Sequence, residues 1–218
     1  MRKIHSLPAL ALAAALSLFA AGCAGDRAPA SAEPFAALVT RGVDVDYTPL
    51  ATPAAAIAAG ELIVEGTLTG VTTGIDLQFA NTAYTERWDG AYVTLVVTVD
   101  RVVAGNPAQV HNGKVFVQVL KNKAVSPEAL AGANANPKVV AVLDNLAGWT
   151  PGGGATVVRP TTVPAAAPLF AAYTDGLWLQ GTADTVMFGL GAEPGELGTA
   201  WGGADTVAEY AAKIRQVG

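Results

Sequence analysis

Residues 91–103 read AYVTLVVTVDRVV. Val93, Leu95, Val97 and Val99 fall on one side of an extended chain, and Tyr92, Thr94, Val96, Thr98 and Asp100 on the other. A period of two with β-branched residues marks a strand that buries one face, as antiparallel strands do. Asn106-Pro107 and Asn112-Gly113 then interrupt the chain before KVFVQVL at 114–120. Asn-Gly readily adopts the positive φ angles of a tight turn, so the two runs are expected to form a long antiparallel hairpin.

Working outward, further strands are expected at Leu62–Val71, Val139–Leu143, Leu177–Gln180 and Thr185–Leu190, all rich in β-branched or aromatic residues. Three short helices punctuate them. Thr52 can cap a helix that opens on Pro53 and stops at Gly60, with Ile57 facing inward, and Ser126 can cap one that opens on Pro127 and closes at Gly132. The third is C-terminal. Thr206 and Glu209 have capping-box spacing, and Val207, Tyr210, Ala211, Ile214 and Val217 make one apolar stripe, suited to lie across a sheet or close a barrel end. Residues 150–168, TPGGGATVVRPTTVPAAAP, read as a long irregular loop, which in a compact domain is functional or mobile. The expected class is mainly β, a barrel or sandwich with short helices and a C-terminal helix, with α+β as the alternative.

The N-terminus carries an address. Arg2 and Lys3 precede an apolar run from Leu7 to Phe19, followed by the small residues Ala20, Ala21 and Gly22 and then Cys23, the only cysteine of the 218 residues. That order is a secretory signal peptide, and the apolar run is shorter than the ~20 residues of a membrane-spanning helix. Ala20-Ala21-Gly22-Cys23 resembles the lipobox of bacterial lipoproteins, although Leu commonly stands where Ala20 does. The resemblance implies cleavage before Cys23, lipidation of its thiol and amine, and a domain tethered outside the cytoplasm to the cell membrane or outer membrane. Ala24, not being Asp, implies the outer membrane where the host has two. The organisation expected is a signal peptide at 1–22, lipidated cysteine and flexible spacer at 23–34, and one β-rich domain at 35–218.

Removal of residues 1–22 takes away Arg2 and Lys3 and moves the charge from −5 to −7. Such a chain argues against nucleic acid and anionic headgroups as partners. The partners expected are the membrane, through the anchor at Cys23, and an envelope protein, glycan or small ligand.

The stretches AAIAAGELIVEGTLTGV, YVTLVVTVDRVVAGN and GKVFVQV resemble a pattern common in secreted bacterial proteins, implying a small closed barrel of the oligonucleotide/oligosaccharide-binding (OB) type over roughly residues 54–120. PLFAAYTDGLWLQG and the final WGGADTVAEYAAKIRQV resemble exported actinobacterial proteins. Neither resemblance carries a catalytic motif, and barrels of this kind host many activities.

The residues themselves exclude much chemistry. Beyond the signal peptide the serines are Ser31, in the spacer, and Ser126, a cap, while the histidine is His111, in a turn; a Ser-His-Asp triad has no material. Acylation would consume the Cys23 thiol. One histidine cannot furnish a His-rich metal site, and Asp44 and Asp46 lack the further oxygen donors of a calcium loop. Gly152-Gly153-Gly154 has no following Lys-Ser/Thr, and Gly189-Leu190-Gly191 no third glycine at the right offset, so both read as turns. No cofactor is expected. Trp88, Trp149 and Trp201 lie beside loop glycines, where packing explains them less readily than Trp178 in its strand; they are the candidate binding platforms. The enzymatic alternative is a glycan-acting enzyme with paired carboxylates, which needs two acids about 5–10 Å apart in a cleft.

Overall fold

The computed structural model describes residues 29–40, 47–192 and 194–218; Cys23, Asp44 and Asp46 lie outside the described residues. The strands are β1 (Leu62–Thr73), β2 (Asp76–Gln78), β3 (Tyr92–Gly105), β4 (Lys114–Leu120), β5 (Lys138–Asn145), β6 (Thr156–Val158), β7 (Leu169–Gln180) and β8 (Phe188–Gly189). The helices are α1 (Glu33–Thr40), α2 (Pro53–Ala59), α3 (Thr82–Trp88), α4 (Pro127–Ala133) and α5 (Val207–Arg215).

The expected hairpin forms. Tyr92 pairs with Leu120 and Thr98 with Lys114, and the turn holds Asn112 at φ 50° and Gly113 at φ 74°. β1 pairs antiparallel with both β3 and β5, β5 pairs antiparallel with β7, and β7 returns parallel to β4. The circuit β1-β3-β4-β7-β5 thereby closes on itself. That is a closed five-stranded mixed barrel of OB-like order, not a sandwich or an α+β sheet.

Strand alternation divides the apolar residues into an interior and two outer cores. Leu62, Val64, Val93, Leu95, Val97, Val117, Ala141 and Leu179 point into the barrel and are fully buried. Phe35 and Val39 of α1 and Leu130 of α4 join that interior. Because strands occupy the walls, these helices enter at an end of the barrel. Outside the wall, Ile63, Val140, Val142 and Trp178 are covered by α5 through Val207, Tyr210, Ala211 and Ile214. Full burial of Val207 and Ile214 contributes on the order of 1.5–3 kcal/mol each. The Thr206–Glu209 capping box is present and its loss would cost about 1 kcal/mol. Val217 departs from the expected stripe and is 55% exposed.

The third core lies over β3 and β4. Here β2 and β6 form a separate two-stranded sheet that sets Ile75, Leu77, Val163 and Ala167 against Phe116 and Leu169. Gln118 fastens it: its Oε1 accepts the Ile75 amide at 3.0 Å, and its Nε2 donates to the Thr94 hydroxyl at 3.0 Å. Two polar residues on the outer face of the barrel are therefore buried and satisfied, as buried polar groups must be.

Several boundaries differ from expectation. β7 begins at Leu169 instead of Leu177, and the strand expected at Thr185–Leu190 shrinks to Phe188–Gly189. The loop at 150–168 contains β6. α3 was not anticipated, although Asn81 caps it by accepting the Ala83 amide. Gly132 lies within α4, whose cap is Asn134. The spacer expected to reach residue 34 ends sooner, because Ala30 donates its amide to Thr182 at 3.1 Å, Ala32 donates to Asp184 at 2.8 Å, and α1 starts at Glu33.

Candidate functional site

The site arises from an interruption in β7. Opposite β5 the pairing jumps from Ala141–Leu177 to Leu143–Ala172, so residues 173–176 bulge across from Val142 alone. Gly176 permits this, since a Cβ there would lie 2.8 Å from the Val142 Cβ. The bulge carries Tyr173, Thr174 and Asp175 out of the ladder. On its other side, β7 pairs with β4 only from Phe116–Leu169 to Gln118–Ala171.

Beyond that last pair the two strands bound a cavity of about 420 Å³, lined by Tyr92, Leu120, Tyr173 and Leu190 and reaching inward to Leu177 of the interior core. Tyr47 and Glu196 line it as well, and they also line an adjoining cavity of about 230 Å³ with Leu50 and Asp175. The two form one cleft.

Its polar groups are set by burial. Asp175 is 6% exposed; its Oδ2 accepts the Leu50 amide at 2.6 Å, and its Oδ1 is buried with no hydrogen-bond partner. Burial raises its carboxyl above the ordinary range, opposed by the Leu50 amide and its own. The Tyr47 hydroxyl is raised by burial and then by Asp175 and Glu196, and that of Tyr92 by burial. Raised phenols stay protonated at neutral pH and can donate. Tyr173 is raised by burial and then by Asp144 and Glu61, and it donates to the Ala59 carbonyl at 2.9 Å.

The loop tryptophans do not gather here. Trp201 is fully buried, donates its Nε1 to the Leu50 carbonyl at 2.8 Å and stacks on Tyr210 with ring centroids 4.1 Å apart. It presents no platform. Trp88 ends α3, half-buried, and stacks on Tyr92 at 6.3 Å. Trp149 is 39% exposed and lines a separate cavity.

No protein-family model, curated protein or solved structure matches this chain. The site must be read from its own chemistry.

His111 remains a turn residue, its ring beside the Asn112 amide at 3.2 Å, and Ser126 accepts the Ala129 amide as a cap. Among the described residues no group of three His, Cys, Asp or Glu side chains could hold a metal, and no helix is long and apolar enough to cross a membrane. Tyr47, Asp175 and Glu196 escaped the sequence reading. They come from segments far apart in the chain, and no local spacing links them.

Proposed function

We propose that this is an exported envelope lipoprotein, anchored through Cys23, whose barrel is a non-catalytic binding module holding an envelope component in the tyrosine-lined cleft between β4 and β7. The supporting observation is the cleft itself: where the β4–β7 ladder stops, aromatic faces, phenolic donors and a buried carboxylate surround an apolar floor. Apolar pockets with a few placed polar groups are the usual form of a ligand site. The face formed by β3 and β4, on which OB barrels take nucleic acids and oligosaccharides, is covered in this chain by β2 and β6. Binding is thereby displaced toward the β4–β7 seam, and the mature charge of −7 disfavours nucleic acid.

The test uses the mature chain immobilised and exposed to envelope extract. Wild type is expected to retain a protein or polysaccharide that Tyr47→Ala and Tyr92→Ala both release, and retention undiminished in both variants would overturn the assignment of the cleft. The anchor is tested separately: Cys23→Ser is expected to abolish lipid labelling and free the domain into the soluble exported fraction.

A second reading has one observation of its own. Asp175 and Glu196 line the same small cavity beside Tyr47, and a carboxyl raised by burial suits a general acid in glycoside hydrolysis. Release of reducing sugar from envelope glycans, lost in both Asp175→Asn and Glu196→Gln, would favour the enzyme over the binding module.

A further inference from the structure

A third cavity, sharing no residue with the cleft, lies where the 145–169 connection meets β2. It measures about 420 Å³, and its walls include the apolar side chains of Ile75, Leu146, Val157 and Leu169. The lining side chains that carry N–H groups are Arg159, Asn145 and Trp149.

Each of the three offers N–H groups. Arg159 directs Nη2 to the carbonyls of Pro164, at 2.8 Å, and Ala167, which fixes the guanidinium across its own loop. Nε is buried with no partner, and Nη1 makes no hydrogen bond among the described residues. Nor is the charge paired: the ion pairs among the described residues are Lys138–Asp100 and Arg215–Glu65. Asn145 spends its Oδ1 on the Ala147 amide at 2.8 Å, leaving the Nδ2 end as a donor. Trp149, 39% exposed, contributes an indole side chain with one N–H.

A set of donors around a fixed cation is complementary to a group that only accepts, and an ionised carboxylate is such a group. Arg159 is partly buried with no carboxylate against it, so an anion in the cavity would add charge-assisted hydrogen bonds to those the guanidinium already makes. The walls supply the rest of the recognition. We infer that this cavity is a second binding site, specific for a small monocarboxylate with an apolar or aromatic body, its carboxylate on Arg159 and its body against Trp149 and the aliphatic wall.

The test is titration of the mature protein with 3-phenylpropionate, indole-3-acetate and octanoate, alongside the neutral amide of each, followed by calorimetry and, for the two ligand pairs that carry no indole, by tryptophan emission. At least one acid is expected to bind saturably, its amide at least tenfold more weakly, and added salt to weaken the acid alone. Arg159→Gln should reduce acid affinity tenfold or more. Because that change also removes the loop anchor, wild-type discrimination between acid and amide is the primary readout and the melting temperature of the variant the control. Trp149→Phe should remove the emission change while calorimetry still detects binding. Equal affinity for acid and amide, no saturable binding by any of the three acids, or full binding by a folded Arg159→Gln protein would overturn the site.

Discussion

Replacing Trp201 separates a core role from a binding role. The side chain is fully buried, and an indole in that state removes roughly 150–250 Å² from water, worth about 4–6 kcal/mol at ~25 cal/mol per Å². Partial collapse of the site offsets some of this, and measured aromatic-to-alanine changes cluster at about 3–5 kcal/mol. The Leu50 carbonyl also loses its Nε1 donor, and Tyr210 loses the ring stacked on it at 4.1 Å. Trp201→Ala is therefore expected to cost about 4 kcal/mol in urea unfolding followed by circular dichroism. At roughly 2–4 °C per kcal/mol for a domain of this size, its melting temperature should fall by about 10 °C. Trp201→Phe keeps a ring but orphans the carbonyl and should lose about 1–3 kcal/mol. Trp149→Ala, at a side chain 39% exposed, should change stability by less than about 1 kcal/mol. If Trp201→Ala left stability within 1 kcal/mol of wild type while abolishing ligand capture, the assignment of Trp201 to the core would be wrong.

Two further predictions concern the buried polar groups beside it. Folding raises the Asp175 carboxyl through burial, so its contribution to stability is full below the unfolded-state value and is lost as pH rises through the folded one. Asp175→Asn keeps an acceptor for the Leu50 amide and cannot ionise; its stability relative to wild type should climb from pH 3 toward neutrality, and a relative stability that falls over that range would contradict the argument. Tyr210 buries a hydroxyl beside the Trp178 indole N–H, but that N–H is given to the Asp175 carbonyl at 2.7 Å and leaves the hydroxyl without a well-formed bond; Tyr210→Phe should therefore be neutral or stabilising by denaturant midpoint, and a loss above about 1 kcal/mol would mean that the hydroxyl is bonded after all.

What the chain discloses locally is what local physics determines. The 91–103 run was legible because one face of β3 is buried along its inner length, which forces alternation into the composition. The caps at Thr52, Ser126 and Thr206 were legible because a cap is a contact within three residues. β7 was half hidden, since Tyr173-Thr174-Asp175-Gly176 breaks the alternation at the bulge, and that segment is held by β5 rather than by its own propensity. β2 and β6 are three residues each and have no meaning until they meet across some eighty positions. The site shares this character. Leu50 is tied to Asp175 by its amide and to Trp201 by its carbonyl, contacts that span 125 and 151 positions. A loop tryptophan beside glycines resembles an exposed platform until the helix that supplies Tyr210 is folded against it.

If Cys23 is the anchor, as proposed, the docking of Ala30 and Ala32 on Thr182 and Asp184 shortens the leash. With the lipid on Cys23, only about seven residues separate the membrane surface from the first residue held by the fold. Even fully extended they reach roughly 25 Å. A domain so held would sweep a shallow layer just above the bilayer, and whatever it engaged would have to come to that layer. On that proposal a partner displayed far out on the envelope would lie beyond its radius, and the short tether would act as a filter on ligands before any side chain in the cleft.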